Sequence, residues 1–195
     1  MKFVLASASP RRKELINRVL QNVEIIPSKF DENSIEYNGD VVAYVQELAL
    51  NKALDVLKDC SGEYIIIGCD TVVYNNGKIL EKPKNEDEAF AMLKSLSGAE
   101  HSVFSAVAIV NSKTNNVVRF HEESKVRFSE LTDEEILSYI ETKEPFDKAG
   151  AYGIQGYGGL FVEAINGCYY NVVGLPINKL YKTLRAMGVN SKGEL

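Results

Sequence analysis

The chain has 195 residues, with 22 Lys and Arg against 27 Asp and Glu, for a formal charge of −5. That length suits about one domain with a sizeable core, and 45% hydrophobic with 25% charged residues excludes a disordered or fibrous chain. A net acidic chain is not built for general binding to nucleic acid or to an anionic membrane, so an anionic substrate must be held by local Lys and Arg.

Phe3-Val-Leu5 reads as a short buried strand running into the small-residue turn Ala6-Ser-Ala-Ser9. Ala6-Ser7-Ala8 mimics a leader-peptidase site, but the apolar stretch before it is too short for a signal peptide. Ser9 is a good N-cap and Pro10 suits the first helical position, so a helix carrying Arg11, Arg12, Leu15 and Ile16 is expected there. Val23 to Ile26 reads as a second strand, ended by Pro27.

From Val41 to Cys60 the pattern is helical, with Val41, Val45, Leu48, Ala49, Ala53 and Val56 on one stripe. Tyr64 to Cys69 is a continuous apolar run, expected to be a strand buried on both faces. Val72–Tyr74 and Lys78–Leu80 flank Asn75-Asn76-Gly77 as a hairpin. Ala89, Met92, Leu93 and Leu96 give a helix stopped by Gly98, and extended segments follow over Ser102–Val110 and Val117–Phe128. Thr132 with Glu135 forms a capping box for a helix through Ile136, Leu137 and Ile140.

Residues 143–159 show no periodicity and are expected to be a long functional loop. Leu160–Ile165 and Tyr169–Val173 read as short strands, Pro176–Met187 as a last helix, and the stretch from Asn190 as a mobile tail. Residues 1–189 are thus expected to form one domain: an α/β chain with a central mixed sheet and helices packed on it. No apolar run reaches the roughly 18 residues of a membrane span. Cys60, Cys69 and Cys168 show no C-x-x-C pairing, and His101 and His121 are too few for a His-rich zinc site. Unpaired thiols fit a reducing cytoplasm.

Several groups carry chemistry. Ser7, Ser9, Arg11 and Arg12 at a strand-to-helix turn combine hydroxyls, guanidiniums and helix N-terminal amides into a site for a polyphosphate; the alternative is a capped helix with solvated arginines. Asp70, in Gly68-Cys69-Asp70-Thr71, is expected at the carboxyl end of a central strand, where it could hold a divalent cation or take a proton from water; otherwise it starts a turn. Lys52 interrupts the apolar stripe, so its ammonium must snorkel out or meet an anion such as phosphate. Asp31-Glu32 is a pair of acids suited to Mg²⁺ or Mn²⁺, or a solvated turn. Lys82-Pro83 follows the hairpin. In the loop Glu144-Pro-Phe-Asp-Lys-Ala-Gly-Ala-Tyr-Gly-Ile-Gln-Gly156, the glycines admit positive φ and close approach of a ligand, and Gln155 offers a donor and an acceptor to a nucleobase edge. The plainer reading is a flexible surface loop with an Asp147–Lys148 salt bridge.

The order of these motifs is informative. Leu5-Ala-Ser-Ala-Ser-Pro-Arg-Arg-Lys-Glu-Leu15, Lys52-Ala53, Gly68-Cys-Asp-Thr-Val72, Lys82-Pro83, Leu96-Ser-Gly98 with His101, Glu144-Pro…Asp147-Lys-Ala-Gly-Ala-Tyr-Gly-Ile-Gln-Gly156 and Val173-Gly-Leu-Pro176 resemble the Maf family to about Gly188. Ser105 stands where many members carry Thr. The resemblance implies a fold like that of inosine triphosphate pyrophosphatases, with a mixed twisted sheet, two lobes and a cleft. It implies hydrolysis of a nucleoside triphosphate to monophosphate and pyrophosphate with a divalent metal (Mg²⁺ or Mn²⁺). The Pro-Arg-Arg and Asp147–Gln155 stretches resemble the branch acting on dTTP and UTP, not its 7-methyl-GTP sister branch. On that basis Ser7, Arg11, Arg12, Lys52 and Lys82 would hold phosphates, Glu32 and Asp70 the metal, and Asp70 would accept the proton. Thr71 and Gln155, with Arg11, would read the base. The resemblance leaves a homodimer open. It also carries a rival reading, a nucleotide-binding regulator of septum formation for which turnover is not required.

Overall fold

The computed structural model describes residues 1–189; the expected mobile tail from Asn190 lies outside the described residues. The chain begins with β1 (Lys2–Ala6), α1 (Pro10–Ile16), β2 (Val23–Ile25), a 3₁₀ turn over Glu32–Ser34 and α2 (Val41–Leu57). Then come β3 (Tyr64–Asn75), β4 (Lys78–Leu80), α3 (Glu86–Leu96), β5 (Glu100–Asn111), β6 (Asn116–Phe128) and α4 (Asp133–Glu141). After three 3₁₀ turns, β7 (Val162–Asn166), α5 (Tyr169–Val173) and α6 (Ile177–Ala186) complete it.

The strands form one seven-stranded sheet in the order β2-β1-β3-β5-β6-β7, with β4 paired to β3. β1 runs parallel to both β2 and β3, whereas β4 is antiparallel to β3 and β7 to β6. The sheet is mixed, as the alternation of β-α-β units with hairpins led one to expect. Among the described residues the chain divides into two compact units: residues 1–70, 105–122 and 174–189, and residues 71–104 and 123–173.

In the first unit the stripe of α2 (Val45, Leu48, Ala49, Ala53, Val56) is buried, as are Val4 and Leu5 of β1 and Ile65 to Ile67 of β3. In the second, Leu93, Leu96, Ile136 and Ile140 surround an aromatic group of Phe128, Tyr139, Tyr152 and Phe161. Rings there meet edge to face, with Phe128 and Tyr152 centroids 4.7 Å apart.

Three expectations are corrected. β3 does not stop before Asp70 but continues to the hairpin, where Asn76 at φ 48° and Gly77 at φ 82° make the turn. Asp70 stays in the strand because its carboxylate finds a cation inside the protein. Residues 143–159 are not a structureless loop: they coil into 3₁₀ turns over Glu144–Asp147, Ala149–Ala151 and Tyr157–Phe161. Gly150 is required there, since at φ 67° a side chain would also strike Val73, and its N–H donates to the Glu81 carbonyl at 3.1 Å. Tyr169–Val173 is a helical turn rather than a strand. Aromatic and β-branched residues favour strands, but the Asn171 amide is buried and donates to the Val103 carbonyl and the Ser124 hydroxyl, both at 2.9 Å. The Cys168 carbonyl accepts from the Asn171 and Val172 amides, which starts the turn.

Candidate functional site

The first unit holds a buried charge cluster. Lys52 leaves the apolar face of α2 and its ammonium is bonded to Asp70 of β3, with side chains only 11% and 9% exposed. The same ammonium meets Glu32 Oε1 at 2.8 Å from the exposed 3₁₀ turn. Lys52 therefore does not snorkel; carboxylates of this chain are the anions it required. Asp31 has a separate task, accepting from the Asn33 N–H to cap the turn.

Gly68 makes this meeting of helix and strand possible. A Cβ there would collide with the Ala49 carbonyl and the Ala53 amide of α2. The helix backbone thus lies directly against the strand, one residue from Lys52 along the helix and two from Asp70 along the strand. Between them, Cys69 is fully buried, which pushes its thiol up to about 11. It stays protonated at neutral pH and is no nucleophile. All three cysteines are free.

Arg12 ties three segments of this unit together. Its guanidinium donates to the carbonyls of Gly174 at 2.9 Å and Cys69 at 3.1 Å and to the Ser7 hydroxyl at 3.3 Å. Ser9 caps α1 by accepting from the Arg12 N–H, and the Ser9 N–H donates to Ser7. The amides expected to await an anion are thus partly taken by the chain's own hydroxyls. Arg11 is half-buried in the first turn of α1.

In the second unit, Thr71 follows Asp70 in β3 and is half-buried, Lys82 is exposed beyond β4, and Gln155 is exposed on a turn. The Asp147–Lys148 salt bridge forms. The segment beside it is not a flexible surface loop, because Gly150 to Gly153 are buried. Its organiser is Glu144, which accepts from the Tyr139 hydroxyl at 2.9 Å, the Tyr157 N–H at 3.0 Å and the Gly158 N–H at 3.4 Å. Burial and this bond to Glu144 push the Tyr139 phenol well above its ordinary range. Nearby, His101 Nε2 pairs with the Tyr152 hydroxyl at 2.9 Å while Nδ1 is the one buried side-chain nitrogen or oxygen without a partner among the described residues. Burial lowers this imidazole to about 4.

Residues 2–187 match the family described as Maf-like protein. The chain belongs to the Maf family. A dTTP/UTP pyrophosphatase of Clostridium novyi is 58% identical over 190 residues, covering 97% of this chain and all of that one. Those of Clostridium perfringens and Clostridium tetani are each 54% identical, over 184 and 193 residues, covering 94% and 97% of this chain and 96% and 100% of theirs. A nucleoside-triphosphatase / dITP/XTP pyrophosphatase of Mycobacterium abscessus matches in structure with a TM-score of 0.45 and 16% identity, over 96% of both chains.

Within this Maf chain, sequence reasoning missed the roles of Glu144, Tyr139 and Gly68. Gly68 carried a usable signal: a glycine inside an otherwise β-branched run marks close approach of another backbone. Glu144 carried none, because which amides a carboxylate receives is decided by the coiling of the loop.

Proposed function

We propose that this Maf protein is a nucleoside triphosphate pyrophosphatase that hydrolyses dTTP and UTP to the monophosphate and pyrophosphate. The observation that carries this reading is the pairing of the Lys52 ammonium with the Asp70 and Glu32 carboxylates on regular elements of one unit. The identity with relatives that bear this activity in their names supports it.

An ammonium has three N–H donors. Asp70 and Glu32 receive two, and the third would meet a phosphate oxygen. Arg11, Arg12 and Ser7, with Lys82, are the further groups assigned to the polyphosphate, where fixed cations oppose the charge that builds up as pyrophosphate leaves.

Two carboxylates converging on one cation also fit the needs of Mg²⁺ or Mn²⁺, which bind through one or two carboxylates and the substrate's own phosphates. Glu32 and Asp70 would hold such an ion together with the substrate's phosphates; no three His, Cys, Asp or Glu side chains form a metal group among the described residues. When bound, such an ion would polarise the phosphoryl oxygens and acidify water. Asp70 accepts the proton of the water whose oxygen bonds the α-phosphorus. The bond from that phosphorus to the bridging oxygen breaks, and pyrophosphate departs with the electron pair. Thr71 and Gln155, with Arg11, read the base, since a polar edge left bare by the wrong base is penalised strongly.

The test is incubation with each nucleoside triphosphate and Mg²⁺ or Mn²⁺, with products separated by ion exchange. UTP and dTTP should give monophosphate and pyrophosphate. Orthophosphate with a diphosphate, or ATP and GTP turned over as fast as UTP, would overturn the reading.

A further inference from the structure

The Gly-rich segment is wrapped around a carboxylate of its own. Glu144 lies at the start of the segment, and its two oxygens receive the Tyr139 hydroxyl and the amides of Tyr157 and Gly158. The Tyr139 oxygen, having donated its proton, accepts from the Gly153 N–H at 3.2 Å. Three amides spanning 153–158 are thereby gathered, directly or through one phenol, onto a single acid.

The glycines fit this purpose better than the one their spacing first suggests. Of Gly150, Gly153 and Gly156, only Gly150 has a positive φ. A Cβ on Gly156 would run into the Glu144 carboxylate, and one on Gly158 would come within 2.8 Å of the Tyr139 hydroxyl. These positions are bare because the chain must pass close to Glu144 and Tyr139. Gln155 is carried on this wrapped segment, between Gly153 and Gly156.

We propose that Glu144 is a positioning residue for base selection, with Tyr139 as its support: it holds the 153–158 turn in the shape that presents Gln155. This rests on the reading in which Gln155 contacts the base. A carboxylate suits the role because it only accepts, and all of its partners here donate. A glutamine of the same size would turn an NH₂ group toward at least one donor.

The experiment compares Glu144→Gln, Tyr139→Phe and Gln155→Ala with the unaltered protein. It reads amide hydrogen exchange across 153–158, and kcat and KM for UTP and ATP. Glu144→Gln should speed exchange in that segment, raise KM for UTP with little change in kcat, and lower the UTP-to-ATP ratio of kcat/KM by about 10-fold to 10²-fold, as small misplacements of a positioned group do. Tyr139→Phe keeps the ring and the core, so it should give a smaller shift in the same direction. It also keeps the test open should Glu144→Gln fail to fold. Faster exchange with unaltered UTP preference, while Gln155→Ala loses that preference, would overturn the role of Glu144 and leave the role of Gln155 intact. Unaltered preference in Gln155→Ala would overturn the base reading and this inference with it. Protected amides in both Glu144→Gln and Tyr139→Phe would overturn the wrapping itself.

Discussion

Two carboxylates organise the two units, and they do so by opposite means. Asp70 is answered by a full charge, the Lys52 ammonium, and both sit on regular elements whose backbones touch at Gly68. Glu144 is answered by neutral donors, two backbone amides and the Tyr139 phenol of α4, beside a segment of short 3₁₀ turns joined by irregular backbone. The first arrangement concentrates charge on a rigid support, as chemistry on phosphate requires. The second stores little charge and fixes a shape, as discrimination between similar ligands requires. Damage to the first should appear in turnover and in electrostatic stability, and damage to the second in selectivity.

The largest effect expected is on turnover. Asp70→Asn keeps the size of the side chain but removes the proposed proton acceptor, which should slow hydrolysis by roughly 10²–10⁴-fold. A normal melting curve with wild-type kcat would remove Asp70 from the reaction. Lys52→Met tests the electrostatic half of the same pair. Methionine continues the apolar stripe, yet it leaves the Asp70 carboxylate in a site where it is 9% exposed without its counter-charge. Breaking a buried pair from one side costs about 3–5 kcal/mol. Adding Asp70→Asn to Lys52→Met should return most of that loss while leaving the enzyme inactive. Urea unfolding of the two single variants and the double variant measures it, and additive losses would mean the pair is not coupled.

That second prediction also shows how far the sequence reaches. The apolar stripe of α2, the capping box at Thr132 and Glu135 and the Asn-Gly hairpin are local patterns, and each was legible from the residues alone. The odd position of Lys52 in the stripe was equally plain. Its partners were not, because pairing with Asp70 depends on how α2 lies on β3, a contact over 18 positions of chain. The same limit explains the strand that became a helical turn at Tyr169–Val173: the buried Asn171 amide decides it, through Val103 and Ser124. Of the candidate site, residue types suited to phosphate, metal and proton chemistry could be read from the sequence, and so could the Gly-rich segment. That the segment coils on Glu144 was not visible, since a carboxylate followed by proline carries no signal of which amides it will receive.

The two units should also differ in their response to acid. In the unfolded chain the His101 imidazole titrates near 6.5, whereas burial in the folded second unit holds it to about 4. Between those values the unfolded state takes up a proton that the folded state refuses. The His101 contribution is therefore complete above about pH 6.5 and is lost as pH falls toward 4, by about 3 kcal/mol in all. His101→Gln removes ring packing on Phe128 and should lower the melting temperature at pH 7. Its stability should then fall less steeply than wild type between pH 6.5 and 4. Parallel stability-versus-pH curves for the two proteins would show that the imidazole does not stay neutral in the folded state.

The smallest effect, and the one that best sharpens the contrast, comes from adding a single methyl group to each region. At Gly68 the added Cβ meets backbone, the Ala49 carbonyl and the Ala53 amide, neither of which can swing aside. The helix must back away from the strand, a strain of about 1–3 kcal/mol, and Lys52 moves with it. At Gly156 the added Cβ meets the end of the Glu144 side chain, which can rotate away at the expense of its hydrogen bonds. Gly68→Ala should therefore lower both the urea midpoint and kcat, whereas Gly156→Ala should leave kcat nearly intact and raise KM for UTP. Wild-type kcat in Gly68→Ala, with a lowered midpoint, would show that the Lys52–Asp70 pair follows the helix as it shifts. In that case close backbone contact serves packing alone, and the rigidity ascribed to the first unit does not reach its chemistry.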